Sequence, residues 1–277
     1  MADPSLQSTS RDSLAHAQDR LDQQAGSLSA DDLRSLGDQL YSVLRLLDSE
    51  RTLLRHLGDA TVPEEGRTGL ARGLFENKLG ATTVQVVSDL VAARWSRPTD
   101  LLTALETLGR RALLGVAEAG GELDDVEDEL FRFGRVLDRE SQLNTLLTDL
   151  NGPVDKRVEL LRSVLGGKVR PATQSLLEQA VRTPRGRALD LTANELAELA
   201  AARRDRYVAH VRTAVALSPD QEQRLTETLT RMYGRRMSLQ VELDESLIGG
   251  LVVEVGGELI DGSVAGRLAA AERKLPS

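Results

Sequence analysis

The sequence predicts a mostly α protein with a C-terminal α+β domain: two tandem helical bundles, then a small domain of sheet plus helices. Three observations carry this. The chain repeats itself at an offset of 90 residues. Apolar residues recur at helical spacing through its first two hundred positions. Beyond Tyr207 that spacing gives way to strict alternation.

The repeat is the strongest of the three, and a fixed internal period has to be read before any single element. Sliding the chain by 90 places Asp38, Leu40, Arg45, Leu47, Asp48, Glu50, Leu53, Leu57 and Asp59 on Asp128, Leu130, Arg135, Leu137, Asp138, Glu140, Leu143, Leu147 and Asp149. Without a gap, Pro63, Arg67, Leu70, Arg72, Lys78, Thr83, Val91 and Arg97 then fall on Pro153, Arg157, Leu160, Arg162, Lys168, Thr173, Val181 and Arg187. That is 17 identities in the 60 positions from 38 to 97. Two unrelated amphipathic helices do not keep a proline in register as well.

Each copy reads as a run of short helices. Leu40, Val43, Leu44 and Leu47 form one apolar stripe on a helix starting near Ser29, the expected N-cap, with Asp31 and Asp32 suiting the positive end of the helix dipole. Leu130, Phe133 and Leu137 repeat the stripe after Val126. Pro63 and Pro153 end one helix and open the next, since proline fits a first turn and not an interior. The segment Thr99 to Gly120 matches both the start of copy one and the tail Leu189 to His210. A single helix is therefore expected to close the first bundle and open the second. The expected domains are 1–104, 105–206 and 207–277, with that helix shared.

In the last domain, Tyr207 to Val215, Leu239 to Leu243 and Leu251 to Val255 alternate as strands with one buried face. Ser218-Pro219-Asp220-Gln221 opens a helix between the first two, and Gly234 closes it. Gly256-Gly257 turns the chain into a strand at Glu258 to Ile260, and a last helix follows Ser263 with Val264, Leu268, Ala271 and Leu275 on one face.

Composition narrows the function. The net charge is -8 and aromatics are 3%, which disfavours nucleic acid as a partner. Cysteine is absent, removing thiolate chemistry and Cys-ligated metals. No apolar run approaches the roughly 20 residues of a membrane span, so no direct membrane insertion is expected. The stretch to Gln24 does not read as a secretory signal.

Enzyme chemistry finds little to work with. His16, His56 and His210 lack partners at metal-ligand spacing. Gly166-Gly167-Lys168 lacks the leading glycine and the Ser or Thr of a phosphate loop, and reads as a helix C-cap. Ser263 follows Gly262 directly, which is no nucleophile elbow. The acids Glu122, Asp124, Asp125, Glu127, Asp128 and Glu129 read as dipole complementation at a helix start. Arg182, Arg185 and Arg187, with Arg203, Arg204 and Arg206, form the one basic concentration, either a solvated face or a docking patch for an acidic helix. No catalytic residue, cofactor or metal ligand is expected.

The segment Leu239 to Leu268 resembles the C-terminal signature of the delta subunit family of F-type ATP synthases, which includes the mitochondrial oligomycin-sensitivity-conferring protein. The matching residues are Asp244, Ser246-Leu247-Ile248-Gly249-Gly250, the glycine turn at Gly256, Ile260-Asp261-Gly262-Ser263-Val264 and Arg267-Leu268. Gly257 and Ala265 depart from the family's usual Asp and Arg. The likeness extends upstream through 105–206, leaving the first hundred residues as an extra bundle, as in the enlarged actinobacterial form.

The resemblance implies a non-catalytic stator subunit on the cytoplasmic face of the cell membrane. Its bundle would bind N-terminal helices of the alpha subunits, its last domain would bind the peripheral-stalk b subunits, and together they would resist rotor torque. The expected groove for a partner helix is lined by Leu113, Leu114, Val116, Leu176, Leu177 and Val181, with Leu14, Val86, Val87 and Leu90 as its equivalent in copy one. The competing reading is a free-standing helical adaptor. An enzyme holding phosphate at its hairpin glycines is the weakest reading.

Overall fold

A computed structural model describes residues 6–205, 208–233, 237–244, 246–255 and 258–263. They divide into two compact units, Met1–Ala200 and Ala201–Ser277. The first unit is helical: α1 (Ser8–Ala25), α2 (Ala30–Ser49), α3 (Arg51–Gly58), α4 (Glu64–Phe75), α5 (Ala81–Ala92), α6 (Pro98–Ala119), α7 (Leu123–Arg139), α8 (Ser141–Thr148), α9 (Val154–Leu165) and α10 (Pro171–Arg182), with α11 (Leu189–Asp205) starting in it.

The repeat survives as geometry. Adding 90 to the bounds of α3, α4 and α5 gives Ser141–Thr148, Val154–Leu165 and Pro171–Arg182, the bounds of α8, α9 and α10. The matched residues also do matched work. Leu40 and Leu130, Leu47 and Leu137, and Leu57 and Leu147 are all closed in the core. Asp59 accepts from the Thr61 backbone N–H at 2.8 Å, and Asp149 from that of Asn151 at 2.9 Å. Each aspartate thus makes the turn that delivers the chain to the proline of the next helix.

Arg67 and Arg157 are the most informative pair. Both are buried on the fourth helix of their copy. Arg67 donates to the carbonyls of Val91, Ala92 (3.2 Å) and Ala93 (3.0 Å), and Arg157 donates to Val181 O at 3.0 Å. The last carbonyls of a helix have no partners of their own and carry its negative dipole end. A buried guanidinium supplies both the donors and the charge, once in each copy.

Local chemistry sets the helix ends. Ser29 and Asp32 form a capping box at the start of α2, and Gly166 ends α9 in the left-handed region, its N–H on Arg162 O. Prolines stand at the openings of α4 and α9, as expected, and also at those of α6 and α10.

The helix α6 is unbroken from Pro98 to Ala119 and its apolar residues lie in one core with those of both copies. It packs on α1, α2, α3 and α5 of copy one and on α7 and α10 of copy two. Its closest neighbour is α2, where a β-carbon at Gly37 would lie 2.7 Å from Leu113 Cγ and one at Gly109 2.9 Å from Tyr41. Glycine at these two positions lets the helices approach to backbone contact.

The second unit holds β1 (Val208–Thr213), α12 (Pro219–Tyr233), β2 (Ser238–Leu243), β3 (Leu251–Val255) and β4 (Glu258–Asp261). The strand order is β2-β1-β3-β4. β1 and β2 are parallel, which requires a crossover, and α12 supplies it. β1–β3 and β3–β4 are antiparallel. Ala209, Val211, Leu229, Met237, Val253 and Val255 form the core between sheet and helix. The Ser218–Gln221 capping box opens α12 as expected. Arg206, the Gly234 cap, the Gly256-Gly257 turn, the departures at Gly257 and Ala265, Arg267 and the last helix from Val264 lie outside the described residues.

Candidate functional site

The signature residues converge in the second unit. Gly250 sits at φ +82°, and a β-carbon there would lie 2.5 Å from Gly262 O and 2.8 Å from Ser263 Cα. The two halves of the signature, 12 positions apart at Gly250 and Gly262, thus meet backbone to backbone. Gly262 N–H donates to Leu251 O at 2.9 Å. Asp261 accepts from Ser263 N–H at 2.9 Å, and Asp244 from Ser246 N–H at 3.0 Å. Those bonds from Ser263 and Ser246 hold both carboxyls below the usual carboxylate range. Leu247 N–H donates to Asp244 O, and Gly249 and Gly250 take consecutive positive φ values, 157° and 82°, which glycine adopts without penalty. These residues build turns. They present no assembled acid, base or nucleophile among the described residues.

The groove expected for a partner helix is closed. Leu113, Leu114, Val116, Leu176, Leu177 and Val181 are all buried, the most accessible being Val116 at 8%. Leu14, Val86, Val87 and Leu90 are buried too. The reason is visible at Leu113, which α2 of the first copy covers at Gly37. The apolar stripe is satisfied by the chain itself.

Apolar side chains free to meet a partner lie elsewhere. Among the described residues of the first unit the exposed large ones are Leu46 in copy one, and Phe131, Val136, Leu146, Leu150, Val164 and Leu191 in copy two. Copy two therefore exposes far more greasy surface than its duplicate, although the two share a fold. Copy one instead carries a shallow depression of about 560 Å³, floored by Leu53, Val62 and Leu70 and edged by Glu50, Arg55, His56 and Asp59.

The basic concentration is largely engaged inside the chain. Arg185 donates to Glu106 at 2.7 Å, Arg187 donates to the same carboxylate, and Arg110 reaches it at 2.7 Å. Burial pulls the Glu106 carboxyl upward, but Arg110, Arg187 and Arg185 outweigh it and hold it below the ordinary glutamate value. Arg182 pairs with Asp155 at 3.4 Å, and Arg203 is buried. A docking patch for an acidic helix is not what this geometry offers. The acids at the start of α7 are engaged as well: Arg170 bonds Glu122 at 2.8 Å and Asp125 at 2.5 Å, and its N–H donates to Glu129 at 2.9 Å. Among the described residues no group of acids and histidines is arranged to hold a metal, and no helix is long and apolar enough to cross a membrane.

A duplicated helical unit with its polar groups bonded among its own helices, and a separate small sheet domain, offer surfaces rather than an assembled reaction centre among the described residues. Residues 110–275 match the family described as ATP synthase delta (OSCP) subunit, and the chain belongs to that family. The match begins inside α6 and runs through copy two and the sheet domain. Relatives extend the likeness to the first hundred residues. An ATP synthase subunit delta of Streptomyces griseus is 44% identical over 98% of this chain and 99% of its own length. One of Parafrankia is 44% identical over 98% and 99%. An ATP synthase subunit b-delta of Mycobacterium sp. strain KMS is 46% identical over 98% of this chain, which spans 61% of that protein's length.

Proposed function

We propose that the chain is a non-catalytic stator connector of an F-type, proton-translocating ATP synthase. Its helical unit holds N-terminal helices of the alpha subunits at the catalytic head, and its sheet domain holds the ends of the peripheral-stalk b subunits. It works at the cytoplasmic face of the cell membrane as a peripheral part of the complex and needs no cofactor. By resisting the torque of the rotor it lets proton flow drive synthesis instead of turning the head.

The observation that carries this reading is the family match from residue 110 to 275, which reaches both units, in a chain whose signature residues build turns. A connector needs surfaces and stiffness. The exposed apolar residues of copy two, Phe131, Leu146, Leu150, Val164 and Leu191, supply material for helix-in-groove docking. The six buried residues first expected to line the groove instead support the fold beneath.

The test is reconstitution of the full chain with membranes stripped of their catalytic head at low salt. Recovery of the chain with alpha and b subunits, and restored coupling of proton flow to synthesis, is the expected result. Failure to sediment with either partner would overturn the proposal.

A further inference from the structure

We infer that the two bundles are latched into one stiff body by polar bridges buried at their joint, with Glu106 and Gln179 as the two keystones. This concerns the chain's own mechanics and stands whatever partner each bundle holds.

The first bridge centres on Glu106 of α6, 5% exposed yet bonded to three guanidiniums. Arg185 and Arg187 come from the loop between α10 and α11, in copy two. Arg110, on α6, also reaches Glu195 of α11 at 3.4 Å and faces the hydroxyl of Tyr41 on α2, in copy one. The carboxylate thus holds α6 to the loop directly, and through Arg110 it is linked to Tyr41 of α2 and Glu195 of α11. The loop is bent to do so: Arg185 has φ 48° and Gly186 φ 74°, consecutive left-handed residues, the first of them not a glycine. Such backbone persists only where surrounding contacts hold it.

The second bridge skips α6. Gln179 of α10, 7% exposed, donates from its amide nitrogen to Asp38 at 2.9 Å and accepts from Arg45 at 2.7 Å. Asp38 and Arg45 stand two turns apart on α2, so both ends of the amide are fixed by the other copy. A shared helix alone transmits bending by its own elasticity. The Gln179 bridge joins α10 to α2 directly, closing a triangle of α2, α6 and α10, and the Glu106 bridge ties the loop after α10 to α6.

Polar bridges suit a latch because their geometry is directional, whereas apolar contacts slide. Removing the Glu106 charge leaves three guanidiniums sharing the single carboxylate of Glu195, which lies 3.4 Å from Arg110 and 3.9 Å from Arg187, and so loosens the loop.

The experiment uses the full chain, which has no cysteine to interfere with labelling. Spin labels are placed by Arg72→Cys on α4 and Ser163→Cys on α9, both exposed, and the distance distribution between them is measured. The unsubstituted joint should give one narrow distribution. Adding Glu106→Gln with Gln179→Ala should roughly double its width while helix content by circular dichroism stays unchanged. Arg162→Ala, which breaks the exposed pair with Glu178 inside copy two, should leave the width alone. An unchanged width in the double variant would overturn the inference. If the double variant loses helix content, Gln179→Ala alone decides, through partial broadening or none.

Discussion

Arg67 and Arg157 are arginines placed where an interior normally takes leucine, and each is there because a helix ends inside the protein. Val91 and Val181, at the ends of α5 and α10, are buried, and an unpaired buried acceptor is costly. Replacing Arg67 by methionine keeps the stem and removes the donors, leaving Val91, Ala92 and Ala93 unsatisfied. The expected loss is about 3 kcal/mol, read from the denaturant midpoint of the helical unit. Gly250 is the corresponding case in the sheet domain, with backbone instead of side chain at stake. Alanine there faces both a left-handed φ and the Gly262 carbonyl at 2.5 Å. A loss of about 2 kcal/mol or more is expected for Gly250→Ala, with the strands of this domain exchanging amide protons sooner than the helices of the other unit.

At the scale of elements, much was legible and one thing was not. The register of 90 foretold that the helices of one copy would recur in the other, and Pro63 and Pro153 marked the openings of α4 and α9, because prolines and caps act within a few residues of themselves. The continuous α6 followed from one segment matching both ends of a copy. What periodicity does not carry is the identity of the surface opposite a stripe. Leu113 and Leu176 look the same in sequence whether a partner or the chain's own α2 covers them, and the clue, Gly37 at the crossing point, is a lone glycine. Arg185 and Arg187 looked like an open basic patch because their counter-charge lies about 80 positions away, on α6.

That pairing has a pH signature. The Glu106 carboxyl is lowered in the folded chain, so its contribution is fully present above the unfolded value and is lost as pH falls through the folded one. Stability should therefore decline below about pH 4.3, the unfolded glutamate value. Glu106→Gln should be less stable than the parent at neutral pH, and the gap between them should shrink on acidification. Thermal melts across that range provide the check; a gap that widens in acid would contradict the assignment.

For the whole molecule, the duplication poses a question of division of labour. Two copies of one bundle share a core and a helix, yet their outer surfaces have diverged: copy two exposes Phe131, Leu146, Leu150, Val164 and Leu191, and copy one mostly polar helix faces. Exposed large apolar residues cost solubility and persist where something covers them. Copy two is therefore the bundle expected to meet the alpha-subunit helices, with copy one extending the body behind it. Phe131→Asp and Leu146→Asp change no core contact, since both side chains are about half exposed, so folding should be little affected. Each should weaken binding to a head-derived helix by about 2 kcal/mol, roughly thirtyfold in Kd. Leu46→Asp, at the exposed apolar site of copy one, should leave that affinity unchanged and serves as the internal control. Equal losses from both copies, measured by calorimetry with the full chain, would mean that the duplicate is a second docking bundle instead of an extension of the arm.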